Sequence, residues 1–266
     1  MRVSAVLAAV ASARLAVSAA IPATDIPAEG VPITELDSYP GLLTSTEAPS
    51  DISLAATAYA GTANELTDGT PCRAVTLIYA RGTTQSGNIG AAGDVGPLMM
   101  NNLSSIIGAS NLAVQGVTYP ADIFGFLAGG DAAGSQLMAN LTTRASPTCE
   151  PHHRGENVTA NPSGQASTQC PNTKIVLSGY SQGGQLVHNA ANLLTSNQAV
   201  VNKVAAVLIY GDPNDGDPVG SIPSSKVKII CHEGDNICEG GILVLPPHTN
   251  YQIDAKAGAQ FIASKV

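Results

Sequence analysis

The stretch Lys174-Ile175-Val176-Leu177-Ser178-Gly179-Tyr180-Ser181-Gln182-Gly183-Gly184-Gln185-Leu186-Val187-His188-Asn189 decides how the chain folds. It opens as a short apolar run rich in β-branched residues and continues as a helix-forming segment. Between the two sits Gly-Tyr-Ser-Gln-Gly. A strand that turns abruptly into a helix puts Ser181 at a strained apex, and Gly179 and Gly183 leave room for the turn. The helix N-terminus adds backbone N–H groups and a partial positive charge beside the hydroxyl, where an oxyanion would form. The pentapeptide alone arises easily by chance in a Gly- and Ser-rich chain. Its context, strand before and helix after, makes Ser181 a candidate nucleophile.

Outward from this stretch, apolar runs at 74–80, 112–117, 204–210 and 227–231 read as further strands. Helical spacing is seen at 93–107, 132–144 and 252–263, and 124–127 reads as an exposed apolar loop. Strands alternating with helices predict an α/β fold: a mostly parallel five-stranded sheet with helices on both faces. No internal repeat and no glycine pattern for binding nucleotides is present.

A serine hydroxyl is a weak nucleophile and needs a neutral imidazole within reach, oriented by an acid. Where a nucleophile sits on such an elbow, the chain order is serine, acid, histidine. His188 lies two turns into the nucleophile helix and reads as structural or exposed. His232 precedes the candidate acid and breaks the order. His248, on a stiff loop after Pro246-Pro247, is the expected base. Among Asp212, Asp215, Asp217 and Asp235, the last is favoured over Asp212. It lies between Cys231 and Cys238, and a disulfide across that loop would fix its carboxylate; Asp212 has a bland alternative in capping the turn Gly211-Asp212-Pro213.

Composition bounds the function. The 266 residues include 44% hydrophobic and 12% charged, and the formal net charge is −8. No basic stripe is present to neutralise phosphates, which argues against nucleic acid. Residues 1–20 read as a secretory signal, with Arg2, an apolar run interrupted by Arg14, and Ser18-Ala19-Ala20. No other stretch is long enough to span a bilayer. Residues 21–62 hold five prolines, six acidic residues and no lysine or arginine. That composition reads as a disordered leader or pro-segment, leaving 63–266 as the folded domain.

Taken together, Cys72, Arg81-Gly82-Thr83-Thr84, Cys170, Gly179-Tyr180-Ser181-Gln182-Gly183, Cys231…Asp235…Cys238 and Pro247-His248 resemble the fungal cutinases. These are small secreted serine esterases; acetylxylan esterases of the same superfamily are similar. The resemblance covers about three quarters of the chain. It implies a compact α/β-hydrolase fold with no large lid and a serine reachable by insoluble polyesters. Ser181, Asp235 and His248 become the triad, and the backbone N–H groups of Thr83 and Gln182 the oxyanion hole, with the Thr83 hydroxyl as an extra donor. It implies the disulfides Cys72–Cys170 and Cys231–Cys238. It implies no cofactor or metal and a monomer acting on polyester or acyl-ester substrates outside the cell. Phe124, Phe126, Leu127, Ile242 and Val244 are candidates for an apolar cleft wall, against ordinary core packing.

Cutin or short-chain acyl-ester hydrolysis is favoured over xylan deacetylation by the apolar 124–127 segment and the absence of tryptophan for sugar stacking. A non-catalytic recognition protein is disfavoured by the intact triad order. Residues 146–166 depart from the family and read as a disordered insertion holding the odd Cys149 and His152-His153. Ala-Ser stands at both edges, and deletion would leave four cysteines, an even number. The segment therefore reads as a gene-model artefact, such as an unremoved intron, with a genuine solvent-exposed loop, cheap in closure entropy, as the alternative. Asn102, Asn140 and Asn157 begin N-x-S/T sequons.

Overall fold

In the computed structural model, residues 31–32, 59–146, 170 and 172–266 are described. Five strands form one sheet: β2 (Val75–Ala80), β3 (Leu112–Gly116), β4 (Lys174–Tyr180), β5 (Val204–Tyr210) and β6 (Val227–Ile230). Their order is β3-β2-β4-β5-β6, and every neighbouring pair is parallel. β1 (Val31–Pro32) and β7 (Leu243–Val244) form a separate antiparallel pair.

The strands are mostly apolar because both faces of the sheet are covered, and side chains alternate between two cores. Leu77 and Tyr79 of β2, Val176 and Tyr180 of β4, and Leu208 and Tyr210 of β5 join one core. Helices α1 (Val95–Ile107) and α6 (Ala255–Ala263) cover that side, through Leu98, Met99 and Leu103 and through Ala259 and Ile262. Ile78, Ile175, Leu177, Val207 and Ile209 face the other way. There α3 (Ala132–Ala145) and α4 (Gln182–Leu193) pack Met138, Leu141, Leu186, Val187 and Ala190. The five-stranded α/β layering expected from the sequence is therefore present, fully parallel.

Some expectations need correction. Residues 124–127 lie within a short helix, α2 (Ile123–Leu127), started by Asp122, whose side chain accepts from Gly125 N. A further six-residue helix, α5 (Gln198–Lys203), precedes β5. The first turn of the closing helix is 3-10 over Tyr251–Asp254. Two parts of the expected leader belong to the fold. Val31–Pro32 pairs with β7, and Tyr59 to Thr62 are bonded to the domain: Tyr59 N–H donates to Asn101 Oδ1, and Gly61 N to Gly90 O. Gly61 has φ +70 and lies so close to Gly87 that a side chain at 87 would strike its carbonyl. Composition could not reveal this close approach of two glycines. Residues 1–20 and the 147–166 part of the expected insertion, with Cys149, His152 and His153, lie outside the described residues.

Because the strands are parallel, the C-terminal ends of β2, β4, β5 and β6 open on one edge of the sheet. The loops that follow them meet there, where α/β sheets place ligands.

Candidate active site

Ser181 links β4 to α4 with φ +55 and ψ −123, a region that L residues seldom enter. The two glycines of the motif make the turn possible. A Cβ on Gly179 would lie 2.3 Å from Gly183 O, and one on Gly183 would lie 2.0 Å from Ala80 O. Three non-glycine residues among those described have positive φ: Thr84, Ala121 and Ser181. Thr84 N donates to Ala121 O at 2.8 Å, and Gln182, next to Ser181, sends Nε2 to Asp122 O at 2.7 Å. The backbone strain is thus concentrated in three segments that are bonded to one another.

His248 lies on a 3-10 turn, Pro246–Thr249, whose prolines fix the approach. Its Nε2 is 2.9 Å from Ser181 Oγ, and its Nδ1 is 2.9 and 2.8 Å from the Asp235 oxygens. A carboxylate only accepts, so Nδ1 carries the hydrogen and Nε2 turns its lone pair to the serine. Asp235 also accepts from Ile237 N at 3.0 Å and from Tyr251 Oη at 2.6 Å. Burial pushes its pKa up, but the hydrogen bond and charge of His248, with the Tyr251 and Ile237 donors, hold it below the ordinary value. All three side chains are fully buried.

Beside Ser181, neither Thr83 N nor Gln182 N donates within the described residues, and the buried Thr83 Oγ1 has no partner. Arg81 braces the loop carrying Thr83: Nε donates to Gln85 O at 2.6 Å and Nη2 to Tyr119 O at 2.8 Å. The guanidinium lies 4.9 Å from the Tyr119 ring centroid. Both disulfides, Cys72–Cys170 and Cys231–Cys238, are formed.

A chain of hydroxyl, imidazole and carboxylate beside free N–H donors can carry out acyl transfer. The model of the Cutinase family matches residues 71–154 and 150–266. The chain belongs to the cutinase family. It is 45% identical over 191 residues to the cutinase of Botryotinia fuckeliana, covering 72% of this chain and 82% of that protein. To the cutinase of Monilinia fructicola it is 46% identical, with the same coverage of 72% and 82%. The structure of Trichoderma reesei cutinase in complex with a C11Y4 phosphonate inhibitor is 39% identical. It matches with a TM-score of 0.60 over 75% of this chain and 79% of that one. A cutinase-like protein from Cryptococcus sp., 22% identical with a TM-score of 0.53, shares the fold over 74% of this chain and 96% of its own. Cutinases are carboxylic ester hydrolases, and so is this chain.

Within this cutinase-family site, the rival residues have other work. Asp212 accepts from His188 at 2.8 Å and from Asn214 N at 3.0 Å. His232 faces Asp254 Oδ2 at 2.6 Å through Nε2 and Pro247 O at 2.9 Å through Nδ1. Of the candidate wall residues, Phe126 and Val244 are core, at 5% and 0% exposed, while Phe124 (81%), Leu127 (47%) and Ile242 (45%) face outward. Sequence reading missed Tyr251, a further side-chain donor to Asp235 beside His248, and Tyr180, whose Oη donates to His248 O at 2.6 Å. Tyr180 stands inside the serine motif and Tyr251 three residues after His248; that proximity was the available signal.

Proposed function

We propose that Ser181 is the nucleophile, His248 the general base and acid, and Asp235 the orienting carboxylate of a secreted, monomeric cutinase. Its substrates are cutin polyester and short-chain acyl esters. The observation that carries the reading is the chain Ser181 Oγ–His248 Nε2–Asp235, at 2.9 and 2.8 Å, beside the open Thr83 and Gln182 donors.

Ser181 Oγ attacks the ester carbonyl carbon as its proton passes to His248 Nε2. The carbonyl oxygen becomes an oxyanion and accepts from Thr83 N–H, Gln182 N–H and the Thr83 hydroxyl. Donors held in place before the reaction need little reorganisation. Collapse breaks the C–O bond, and the leaving alcohol takes the proton from His248. Water then attacks the acyl-serine, giving its proton to His248, and the acid leaves as Ser181 is restored. Throughout, Asp235 stays ionised and stabilises the imidazolium.

Phe124 and Leu127, exposed on the short helix whose N-cap residue Asp122 accepts from Gln182, form an apolar wall for the acyl chain. The apolar signal and the two disulfides fit an oxidising, extracellular setting, and no helix among the described residues is long and apolar enough to cross a membrane. The family model matches in two pieces that meet at 150–154, which supports an insertion between α3 and β4. A panel of p-nitrophenyl acyl esters, cutin and acetylated xylan tests the assignment. Turnover of butyrate ester and cutin, lost in Ser181→Ala, is expected; turnover of acetylated xylan alone would replace the substrate class.

A further inference from the structure

One face of α4 makes a row of contacts with α2 and the loop after it. Gln182 Nε2 donates to Asp122 O at 2.7 Å, Gln185 Nε2 to Phe126 O at 3.2 Å, and Asn189 Nδ2 to Gly129 O at 2.9 Å. Positions 182, 185 and 189 fall on one stripe of a helix. Their acceptors lie before, within and just after α2. Two glycines let the segments approach this closely: a Cβ on Gly125 would lie 2.9 Å from Gln182 Nε2, and one on Gly130 would lie 2.8 Å from Asn189 Nδ2 and 3.0 Å from Gln185 Cβ.

At five residues α2 is too short to be stable alone. Ile123 and Phe126 anchor its inner side in the core, while Phe124 and Leu127 point outward. The amide row fixes where those outward residues stand relative to α4, whose first turn follows Ser181 directly. The wall on α2 and the nucleophile at the start of α4 are thereby both positioned by α4.

We propose that Gln185 and Asn189 are specificity-determining positioning residues: they hold α2 in register with Ser181, so that a long acyl chain lying on Phe124 and Leu127 is aligned for attack. This rests on the reading of α2 as the acyl-chain wall. A short acyl group gains little from the wall and does not depend on the clamp. A long one depends on it through binding.

Gln185→Met keeps length without a donor, and Asn189→Ala removes the outer rung. For the double variant, KM for p-nitrophenyl decanoate rises by roughly five- to tenfold, the scale of losing two modest hydrogen bonds. Its kcat and KM for p-nitrophenyl butyrate stay within about twofold, because no group touching the reacting atoms has changed. Phe124→Ala is measured in parallel, with thermal unfolding of each variant. Equal losses on both esters, or no change on decanoate while Phe124→Ala does impair it, overturn the clamp. If Phe124→Ala itself leaves decanoate unchanged, the wall reading has failed and the clamp falls with it. Should the double variant not fold, Asn189→Ala, at a half-buried position, is read by the same two criteria.

Discussion

Tyr251 donates to the Asp235 oxygen that also faces His248, and its own oxygen accepts from His232 N at 2.9 Å. In Tyr251→Phe the carboxylate loses one donor and becomes the stronger base toward the imidazole. Held less firmly, Asp235 orients His248 less well, and kcat is lowered by roughly three- to tenfold. An unchanged kcat would show that Tyr251 only fills space. Asp235→Asn permits the wrong His248 tautomer and lowers kcat by roughly 10³–10⁴, whereas Asp212→Asn in folded protein leaves kcat nearly unchanged; the reverse ranking would reassign the acid. The places of Ser181, Asp235 and His248 were legible because elbow chemistry imposes a chain order. The supports were not. Tyr180 meets the His248 carbonyl across 68 residues of sequence, and no local pattern encodes such a meeting.

Between elements, the buried His188–Asp212 pair ties α4 to the loop after β5, with His188 Nδ1 also facing Pro218 O at 3.3 Å. Gly211, in the same loop, packs against the His248 ring: a Cβ there would lie 2.9 Å from Cε1. Burial pushes the His188 pKa down, but the hydrogen bond and charge of Asp212 outweigh it and the net shift is upward. A raised folded value means the pair's stabilisation is complete below the unfolded histidine value of about 6.5 and is lost as pH rises through the folded value. His188→Leu leaves Asp212 buried without its partner and costs about 3–5 kcal/mol. Urea unfolding at pH 6 and pH 9 measures this, and the gap between variant and parent narrows at the higher pH. A gap that widened instead would mean that folding lowers the His188 pKa. The strands were legible as apolar runs because both sheet faces are buried. α2 was not, since Gly125 lies inside a five-residue segment that tertiary bonds hold in place. The β1–β7 pair was hidden as well, because two residues carry no periodicity.

At the scale of the molecule, Cys72–Cys170 joins the segment before β2 to the segment before β4 across a sequence separation of 98. By the loop-entropy model its removal, as Cys72→Ala with Cys170→Ala, costs about 4–5 kcal/mol, seen as a lower urea midpoint. The closure spans residues 146–166, so their deletion shortens the loop and changes its entropy little. The deleted chain is expected to fold and to hydrolyse butyrate ester at the parent rate; a deleted chain that is folded but inactive would make the segment part of the site. The most direct measurement treats the parent protein with an alkyl phosphonate ester and follows intact mass, peptide mapping and butyrate hydrolysis together. One adduct per chain, on Ser181, formed in step with the loss of activity and absent in Ser181→Ala, is the predicted result. Activity that persists through labelling, or an adduct on another residue that accompanies inactivation, would contradict the account.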